Sequence, residues 1–276
     1  IALSDELGNN RNIHFISCNE INMNEMYEYL NGQHYDAFFH FGWAGTSGNA
    51  RGDYCLQLDN VKQTCDYIML SKKLGCNRFI FASSINEMQT YEYLQMDGIS
   101  PSFGYIYGAA KLAGHLIGET VAYQNGIEFI PVIISNIYGA GEKSARLINT
   151  TVRKLLNHEH CSFTDGHQMY DFIYVTDAVN AMTAIAEKGK AFHRYYIGSG
   201  DIRPLADYLT ELKDIVASCE ILGFGELPFN ETEIDYSQFD LNKVERDTGY
   251  INKISFHEGI KFIANAIKEG MKNEEI

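Results

Sequence analysis

Short apolar segments alternate along the chain with longer segments in which apolar residues recur every three or four positions. The short segments predict buried strands at residues 12–18, 35–41, 78–82, 127–135, 171–175 and 194–199. The periodic segments predict helices at residues 24–30, 54–74, 107–123, 143–156, 176–188, 205–216, 241–248 and 255–269. A polar loop with aromatics is predicted at 87–103, and Thr176 or Asp177 can cap the helix at 176–188. Continuous apolar runs are typical of parallel strands that are covered on both faces. The pattern therefore predicts an α/β fold with a doubly wound, parallel, Rossmann-like sheet.

Composition narrows the class of protein. At 276 residues and 45% hydrophobic content, the chain can bury a large core, as one large domain or two closely joined ones. A formal net charge of −14 argues against nucleic acid as a partner. No run of 18 apolar residues exists, so we expect no membrane span. Six cysteines without a C-x-x-C pair indicate reduced, mostly buried thiols and a cytoplasmic protein.

The strongest chemical pattern is Tyr107-Gly-Ala-Ala-Lys111, at the start of a predicted helix. Tyr and Lys four residues apart lie on one helix face, and the strand at 78–82 ends in Ser83 and Ser84 just upstream. Such a trio can move a proton to or from an alcohol or carbonyl oxygen, because Lys⁺ lowers the Tyr pKa and Ser holds the oxygen. Composition alone predicts about one Tyr-x-x-x-Lys by chance, which would be a surface Tyr and a solvated Lys. The surrounding order of strand, serines, loop, helix and second strand favours a dinucleotide-dependent enzyme.

Further motifs follow in a fixed order along the chain. They are Asp36-Ala-Phe-Phe-His40-Phe-Gly-Trp-Ala-Gly45, Asn60-Val61, Phe81-Ala-Ser-Ser84, Asn136-Ile-Tyr-Gly139, Asp171-Phe-Ile-Tyr-Val-Thr-Asp177, Ile197-Gly-Ser-Gly200 with Pro204-Leu205, and Ser255-Phe-His-Glu-Gly259. With Tyr107 to Lys111, they resemble the extended short-chain dehydrogenase/reductases. Within that group, the chain is similar to the NAD-dependent epimerase/dehydratase family, which acts on nucleotide sugars.

The resemblance implies roles for individual residues. The implied catalytic residues are Ser84, Tyr107 and Lys111. The implied contacts to a cofactor, NAD or NADP, are His40, Phe41, Gly42, Ala44, Asn60, Ala82, Tyr107, Lys111 and Ile134. The implied contacts to a nucleotide-diphosphate sugar are Ser84, Asn136, Arg146 and Phe163. Plainer interpretations remain open for three of them: a helix-surface amide for Asn60, a structural turn for Asn136 and a solvated helix-end charge for Arg146.

The resemblance also implies a domain organisation. We expect a dinucleotide-binding domain at 1–140 plus 171–200, and a mostly helical substrate cap at 141–170 and 201–276. The helices at 54–74 and 107–123 are those that pair across a homodimer in the family. The family begins with a strand, a glycine-rich turn, a helix and a second strand, whereas this sequence resembles it only from the third strand onward. We therefore expect the first βαβ part to be missing from the sequence given, as a fragment or as omitted residues.

One glycine pattern and one group of potential metal ligands are each weak evidence for a binding site. Gly42 to Gly48 matches G-x-x-G-x-x-G, but the next convincing helix starts only near Tyr54 and no acid follows about 20 residues later. We interpret it instead as the loop that passes under the cofactor. A cluster of potential metal ligands, His158, His160, Cys161 and His167, fits no common zinc spacing, so no metal site is expected.

Some positions depart from the family pattern. Tyr170 and Ile133 stand where relatives carry Arg, which leaves the nucleotide open. Ile85 and Asn86 replace the Asp-Glu pair of the 4,6-dehydratases, so elimination of water is not expected. Glu87 is interpreted as an exposed loop carboxylate, with an additional acid as the alternative.

The predicted function is hydride transfer at C4 of a nucleotide-linked hexose. An epimerase retains the cofactor through both half-reactions, whereas the alternative, a 4-keto-sugar reductase, exchanges it every turn. A non-catalytic dinucleotide sensor is the alternative from another class, but Ser84, Tyr107 and Lys111 are all present. The second strand would carry the residue that separates NAD from NADP, so the choice between them stays open.

Overall fold

A computed structural model describes residues 12–16, 22–98, 100–217, 219–229 and 232–274, with side chains described as far as residue 270. The helices are α1 Met23–Leu30, α2 Tyr54–Lys73, α3 Asn86–Tyr93, α4 Phe103–Gln124, α5 Leu147–Leu156, α6 Val175–Lys188, α7 Leu205–Val216, α8 Lys243–Thr248 and α9 Phe256–Glu274, with 3₁₀ helices at Gly48–Gly52 and Tyr236–Gln238. The strands are β1 Phe38–His40, β2 Arg78–Ala82, β3 Glu128–Ile134, β4 Asn136–Tyr138, β5 Cys161–Ser162, β6 Met169–Tyr170, β7 Phe172–Tyr174, β8 Tyr195–Ile197, β9 Arg203–Pro204 and β10 Leu222–Gly223.

The central sheet has four strands in the order β1-β2-β3-β8, and every neighbouring pair is parallel. Ile80 of β2 is in register with Phe39 on one side and Ile130 on the other. The predicted α/β fold with a parallel sheet is therefore confirmed. The predicted strand at 12–18 is not: residues 12–16 are not in a strand, and residues 17 and 18 lie outside the described part of the chain.

Alternate residues of β2 explain why helices cover both faces of this sheet. Phe79 and Phe81 point to one face, where they pack with Ile68 of α2 and with residues of α4. Ile80 and Ala82 point to the other face, where they pack against α6. Because both faces of a strand are covered, its sequence is a continuous apolar run rather than an alternating one.

A second core lies outside the sheet, between α5, α7, α9 and the short strand β7. It includes the fully buried Val152, Tyr208 and Ile260, and the aromatic ring of Phe172 packs edge-on against Tyr208 at a centroid distance of 4.9 Å. Strands β4 and β7 form a separate parallel pair beside it. This cluster brings residues from 138 to 264 together next to the carboxyl ends of β2 and β3.

The segment between β2 and α4 is not the polar loop predicted for residues 87–103, because it contains helix α3. Gly108 on α4 allows α3 to approach closely: a Cβ at this position would lie 2.0 Å from the Thr90 hydroxyl and 2.4 Å from the Asn86 carbonyl oxygen. The helix is short and carries five polar side chains besides its two tyrosines, so its sequence has no clear helical periodicity. Helix α4 also begins four residues earlier than predicted, at Phe103.

Three smaller predictions were wrong. Arg146 does not lie within a helix starting at 143, since α5 begins at Leu147 and Arg146 is its N-cap residue. Asp177 does not cap α6, because its buried carboxylate accepts hydrogen bonds from the Tyr250 hydroxyl and the Ile254 backbone N–H. The cysteines are not mostly buried, since Cys55 and Cys219 are exposed. Within the described residues, no helix is both long enough and apolar enough to span a membrane.

Candidate active site

A cavity of about 390 Å³ lies at the carboxyl ends of β2 and β3, where open α/β sheets bind their ligands. Its lining includes the predicted residues Ser84, Tyr107, Ile134, Asn136 and Arg146. It also includes Arg51, Glu142 and Tyr170, for which the sequence predicted no contact. Residues far apart in sequence therefore meet in one cavity at the predicted edge of the sheet.

Tyr107 and Ser84 form the polar centre of this cavity. Tyr107 is only 8% exposed, and the Ser84 hydroxyl lies close enough to its phenol to lower the pKa of that phenol. Ser84 also donates to Asn86 Oδ1 at 3.1 Å, and the Asn86 backbone N–H donates back to Ser84 Oγ at 3.3 Å. The turn that follows β2 therefore fixes the serine hydroxyl in front of the tyrosine.

Opposing influences act on the Tyr107 pKa. Burial raises it above its ordinary value, whereas the nearby Ser84 hydroxyl and the positive charges of Arg51 and Arg146 lower it. The Arg51 guanidinium lies 4.8 Å from the centre of the Tyr107 ring. No sequence pattern indicated Arg51, because this residue lies in a short 3₁₀ helix without a motif.

Lys111 lies behind the tyrosine rather than in the cavity lining. Its Nζ donates to the Ala82 carbonyl oxygen at 2.9 Å, and it lies 3.8 Å from the centre of the Trp43 ring and 6.0 Å from that of Tyr107. Burial lowers the pKa of Lys111 to about 7, although the negative charge of Glu87 opposes this shift. The predicted use of Lys111 to lower the Tyr107 pKa is thus weaker in this structure than the influence of the arginines.

Glu87 is not an exposed loop carboxylate, because it is fully buried at the start of α3. Its Oε2 accepts a hydrogen bond of 2.6 Å from the Ser83 hydroxyl, and its Oε1 lies 3.1 Å from His115 Nδ1 on α4. This cluster ties the end of β2 to the helix that carries Tyr107 and Lys111. A sequence with alternating polar and apolar residues at this point could not show that the carboxylate faces inward.

The residues predicted to contact the cofactor divide into two groups. Phe41, Gly42 and Ala44 are exposed on the loop after β1, and a Cβ on Gly42 would meet no atom. His40 and Asn60 are buried, which contradicts a surface position for Asn60, whereas the predicted contact of each with the cofactor stays a prediction. The two buried side chains hold the loop from below.

The hydrogen bonds of these two residues show how they hold it. Asn60 Oδ1 accepts from the Ala44 backbone N–H, and its Nδ2 donates to the Ala44 carbonyl oxygen, each at 2.9 Å. His40 Nε2 lies 3.1 Å from Thr64 Oγ1, and burial lowers the His40 pKa to about 4. An exposed, preorganised backbone next to Lys111 fits a dinucleotide that lies across the sheet edge, with Phe41 to Ala44, Ile134 and Lys111 as the residues that would hold it.

The predicted substrate contacts also divide. Asn136 and Arg146 line the cavity, and Asn136 Nδ2 donates to the Asp171 carbonyl oxygen at 3.2 Å, which leaves its Oδ1 to face the cavity. Phe163 does not line it, because this ring is buried against Phe224 in the second core. Separately, His158 and His160 pair with the carboxylates of Glu220 and Glu226.

The model of the NAD dependent epimerase/dehydratase family matches residues 2–198. The chain belongs to this family. The expectation of a nicotinamide dinucleotide as cofactor, NAD or NADP, is thereby confirmed at the level of the family.

Two curated relatives and one solved structure illustrate the similarity. CDP-abequose synthase of Salmonella typhimurium is 29% identical over 151 residues, which cover 52% of this chain and 50% of that protein. A putative UDP-glucose 4-epimerase of Methanocaldococcus jannaschii is 28% identical over 225 residues, covering 76% of this chain and 69% of that protein. The chain thus spans about half the length of the first relative and about two thirds of the second. A UDP-glucose 4-epimerase structure from Thermotoga maritima superposes with a TM-score of 0.74 at 18% identity, covering 90% of this chain and 82% of that one, and supports the fold.

Proposed function

We propose that the chain is the catalytic part of a nucleotide-sugar 4-epimerase. The observation that carries the proposal is that Ser84 and Tyr107 line the same cavity at the carboxyl edge of the sheet, with Lys111 behind the tyrosine. A phenol and a hydroxyl that line one cavity can bind one alcohol oxygen between them. The family to which the chain belongs and the name of the archaeal relative support a sugar nucleotide as substrate.

The residues act on the oxygen at C4 of the hexose. Ser84 donates a hydrogen bond to this oxygen, and Tyr107 removes its proton as the C4 hydride departs. A nicotinamide dinucleotide held beside Lys111 and Ile134 would supply the acceptor for this hydride and the donor that returns it. Tyr107 then gives the proton back, so that neither residue is consumed in a turnover.

The remaining lining favours an anionic nucleotide at the other side of the cavity. Arg146 and the Asn136 amide lie there, and a guanidinium suits the oxygens of a diphosphate. Tyr170 occupies the lining where a relative would place an Arg, so Arg146 carries more of the diphosphate charge in this protein.

Elimination of water is not part of the proposal, because the wall near Ser84 lacks an acid. Ile85 is buried, Asn86 is an amide, and Glu87 is directed away from the cavity into its contacts with Ser83 and His115. A 4-keto-sugar reductase would use the same Ser84 and Tyr107, and the CDP-abequose synthase relative keeps that alternative in the experiment.

The experiment uses the full-length protein. Purified protein is incubated with UDP-, dTDP-, CDP- and GDP-hexoses, and the products are read by mass spectrometry and NMR. Conversion to the C4 epimer without added cofactor supports the epimerase. Consumption of one NAD(P)H for each reduced sugar overturns it in favour of the reductase, and no conversion of any sugar overturns both.

A homodimer through α2 and α4 completes the proposal. Both helices expose large apolar side chains, among them Leu58 on α2 and Leu116 and Ile117 on α4, at 63%, 54% and 47% exposure. A second copy would cover these residues in a four-helix contact. The five cysteines that the structure describes are unpaired, which agrees with the cytoplasm as location. Light scattering should give twice the chain mass, and Leu116→Glu should give a monomer.

A further inference from the structure

Arg51 places a positive charge next to Tyr107. No sequence motif predicted this arginine. Its guanidinium carbon lies 4.8 Å from the centre of the Tyr107 ring, and the residue lines the cavity. Within the described part of the chain, its Nε and Nη2 atoms are buried and make no hydrogen bond. The guanidinium is therefore placed against Tyr107 without an anion of the protein to neutralise it.

The short 3₁₀ helix that carries Arg51 is held firmly in place. Gln57 Nε2 on α2 donates to the Ala50 carbonyl oxygen at 3.2 Å and to that of Gly45 at 3.0 Å. A Cβ on Gly52 would lie 2.7 Å from the Phe103 ring, so only glycine allows this close approach to α4. The backbone of Arg51 is thus fixed through its two chain neighbours, Ala50 and Gly52.

The two nitrogens without a hydrogen-bond partner, Nε and Nη2 of Arg51, determine which kind of ligand could bind there. The Nε and Nη2 groups of a guanidinium point the same way and bind two oxygens in one plane. Leaving buried charged donors unpaired costs free energy, which a ligand with a pair of oxygens would offset. A hexose next to its reacting carbon offers such a pair in neighbouring oxygen substituents.

Nε and Nη2 are covered by neighbouring protein atoms in this structure, so the side chain has to turn before a ligand can reach them. We infer that Arg51 is a further substrate-binding residue, whose guanidinium turns to bind two neighbouring oxygens of the hexose beside C4 while its charge favours the phenolate of Tyr107. This inference rests on the proposed function, because it assigns part of the same site. It adds a residue that contributes to substrate specificity. This residue precedes Tyr107 in the sequence, whereas Lys111 follows it.

Other charged groups also face Tyr107. Arg146 contributes a second positive charge from the residue before α5, and Lys111 lies behind the ring on α4 itself. Glu142 is the carboxylate of the cavity lining, and its pKa is lowered by hydrogen bonds from Ser144. Removal of Arg51 leaves these groups in place, so its own effect can be separated.

The test compares Arg51→Gln and Arg51→Lys with the wild type in the full-length protein. The measured quantity is the pH profile of kcat/KM for the sugar nucleotide that the wild type converts. In Arg51→Gln, we expect kcat/KM to fall about ten- to a hundredfold. The rising limb of the profile should move to higher pH by about one unit or more, because a cation that favours the phenolate is lost. Arg51→Lys keeps the charge but not the fork, so the limb should stay near its wild-type position while KM remains high.

Two controls keep the result specific. Arg246→Gln makes the same chemical change at an exposed arginine paired with Asp240, and should leave the profile unchanged. The melting temperature of ligand-free Arg51→Gln should equal or exceed that of the wild type, since an unpaired buried charge is removed. A lower melting temperature would show that Arg51 is structural and overturn the inference.

The kinetic outcomes also separate this inference from the proposed function. A wild type that converts sugar nucleotides, with Arg51→Gln within twofold of it at every pH, overturns the role of Arg51 alone. A shifted limb with unchanged KM overturns the binding of the hexose. A wild type that converts no sugar nucleotide overturns the proposed function, and with it the binding role assigned here.

Discussion

The two walls of the cavity are built on opposite principles. On the catalytic wall, formed by the ends of β2 and α4, buried polar groups find partners within the protein: Ser83 and His115 bind Glu87, and Lys111 binds the Ala82 carbonyl oxygen. On the substrate wall, the Arg51 guanidinium has buried atoms without a partner, and Arg146 is exposed at the start of α5.

The difference in hydrogen bonding between the two walls indicates the function of each. Proton transfer needs a phenol and a hydroxyl held in one geometry, so their supports are hydrogen-bonded and buried. A bound sugar nucleotide brings its own negative charge, so the protein leaves cations ready for it. Substitutions on the catalytic wall should therefore reduce stability or the rate of the chemical step, whereas those on the substrate wall should reduce affinity and spare stability.

The largest effect should come from Tyr107→Phe, which removes the group that exchanges the proton. We expect kcat to fall by about a thousandfold, within the usual range for a general acid–base residue, with little change in folding. Tyr105→Phe is the matched control, because this buried hydroxyl on the same helix binds Thr232 Oγ1 at 2.6 Å and does not line the cavity. Equal losses in the two variants would contradict a catalytic role for Tyr107.

The pH dependence of stability should report His40. Its folded pKa is about 4, below the unfolded value of about 6.5, so the unfolded chain takes up the proton first as the pH falls. Stability should therefore be lost between about pH 6.5 and pH 4, by up to about 3 kcal/mol from this residue. Urea unfolding at several pH values should show this loss in the wild type and in His34→Gln, whose side chain is exposed, but less of it in His40→Gln.

A smaller loss of stability should follow Glu87→Gln. The amide cannot accept from both Ser83 and His115 as the carboxylate does, so we expect a cost of about 1–3 kcal/mol in the free energy of unfolding. Glu28→Gln, at an exposed position of α1, should change stability by less than about 0.5 kcal/mol. Unaltered stability in Glu87→Gln would remove the contrast between the walls.

The smallest effect, and the sharpest for the comparison, should come from Arg146→Gln. We expect KM for the sugar nucleotide to rise about tenfold, equivalent to about 1.4 kcal/mol, with kcat and the free energy of unfolding nearly constant. Steady-state kinetics and urea unfolding measure the two. A fall in kcat with constant KM would place Arg146 with the catalytic wall instead.

Much of the fold could be predicted because local patterns agreed with tertiary packing. The apolar run of β2 and the periodic sequence of α2 each end within a residue of their predicted bounds. Helix α3 was missed because its inward face is polar, and Glu87 was placed on the surface for the same reason. From sequence alone, a carboxylate is expected to be exposed to solvent. Only the position of His115, one helix away, makes the burial of Glu87 favourable.

The amino-acid sequence alone was enough to predict the family, the parallel sheet and the residues Ser84, Tyr107 and Lys111, because spacing along a helix and a continuous apolar run along a strand are local properties. Only the tertiary structure decided which of the predicted residues reach the cavity. It placed Arg51 there and buried His40, Asn60 and Phe163, because contacts between distant elements depend on how their faces pack and not on any motif that they carry.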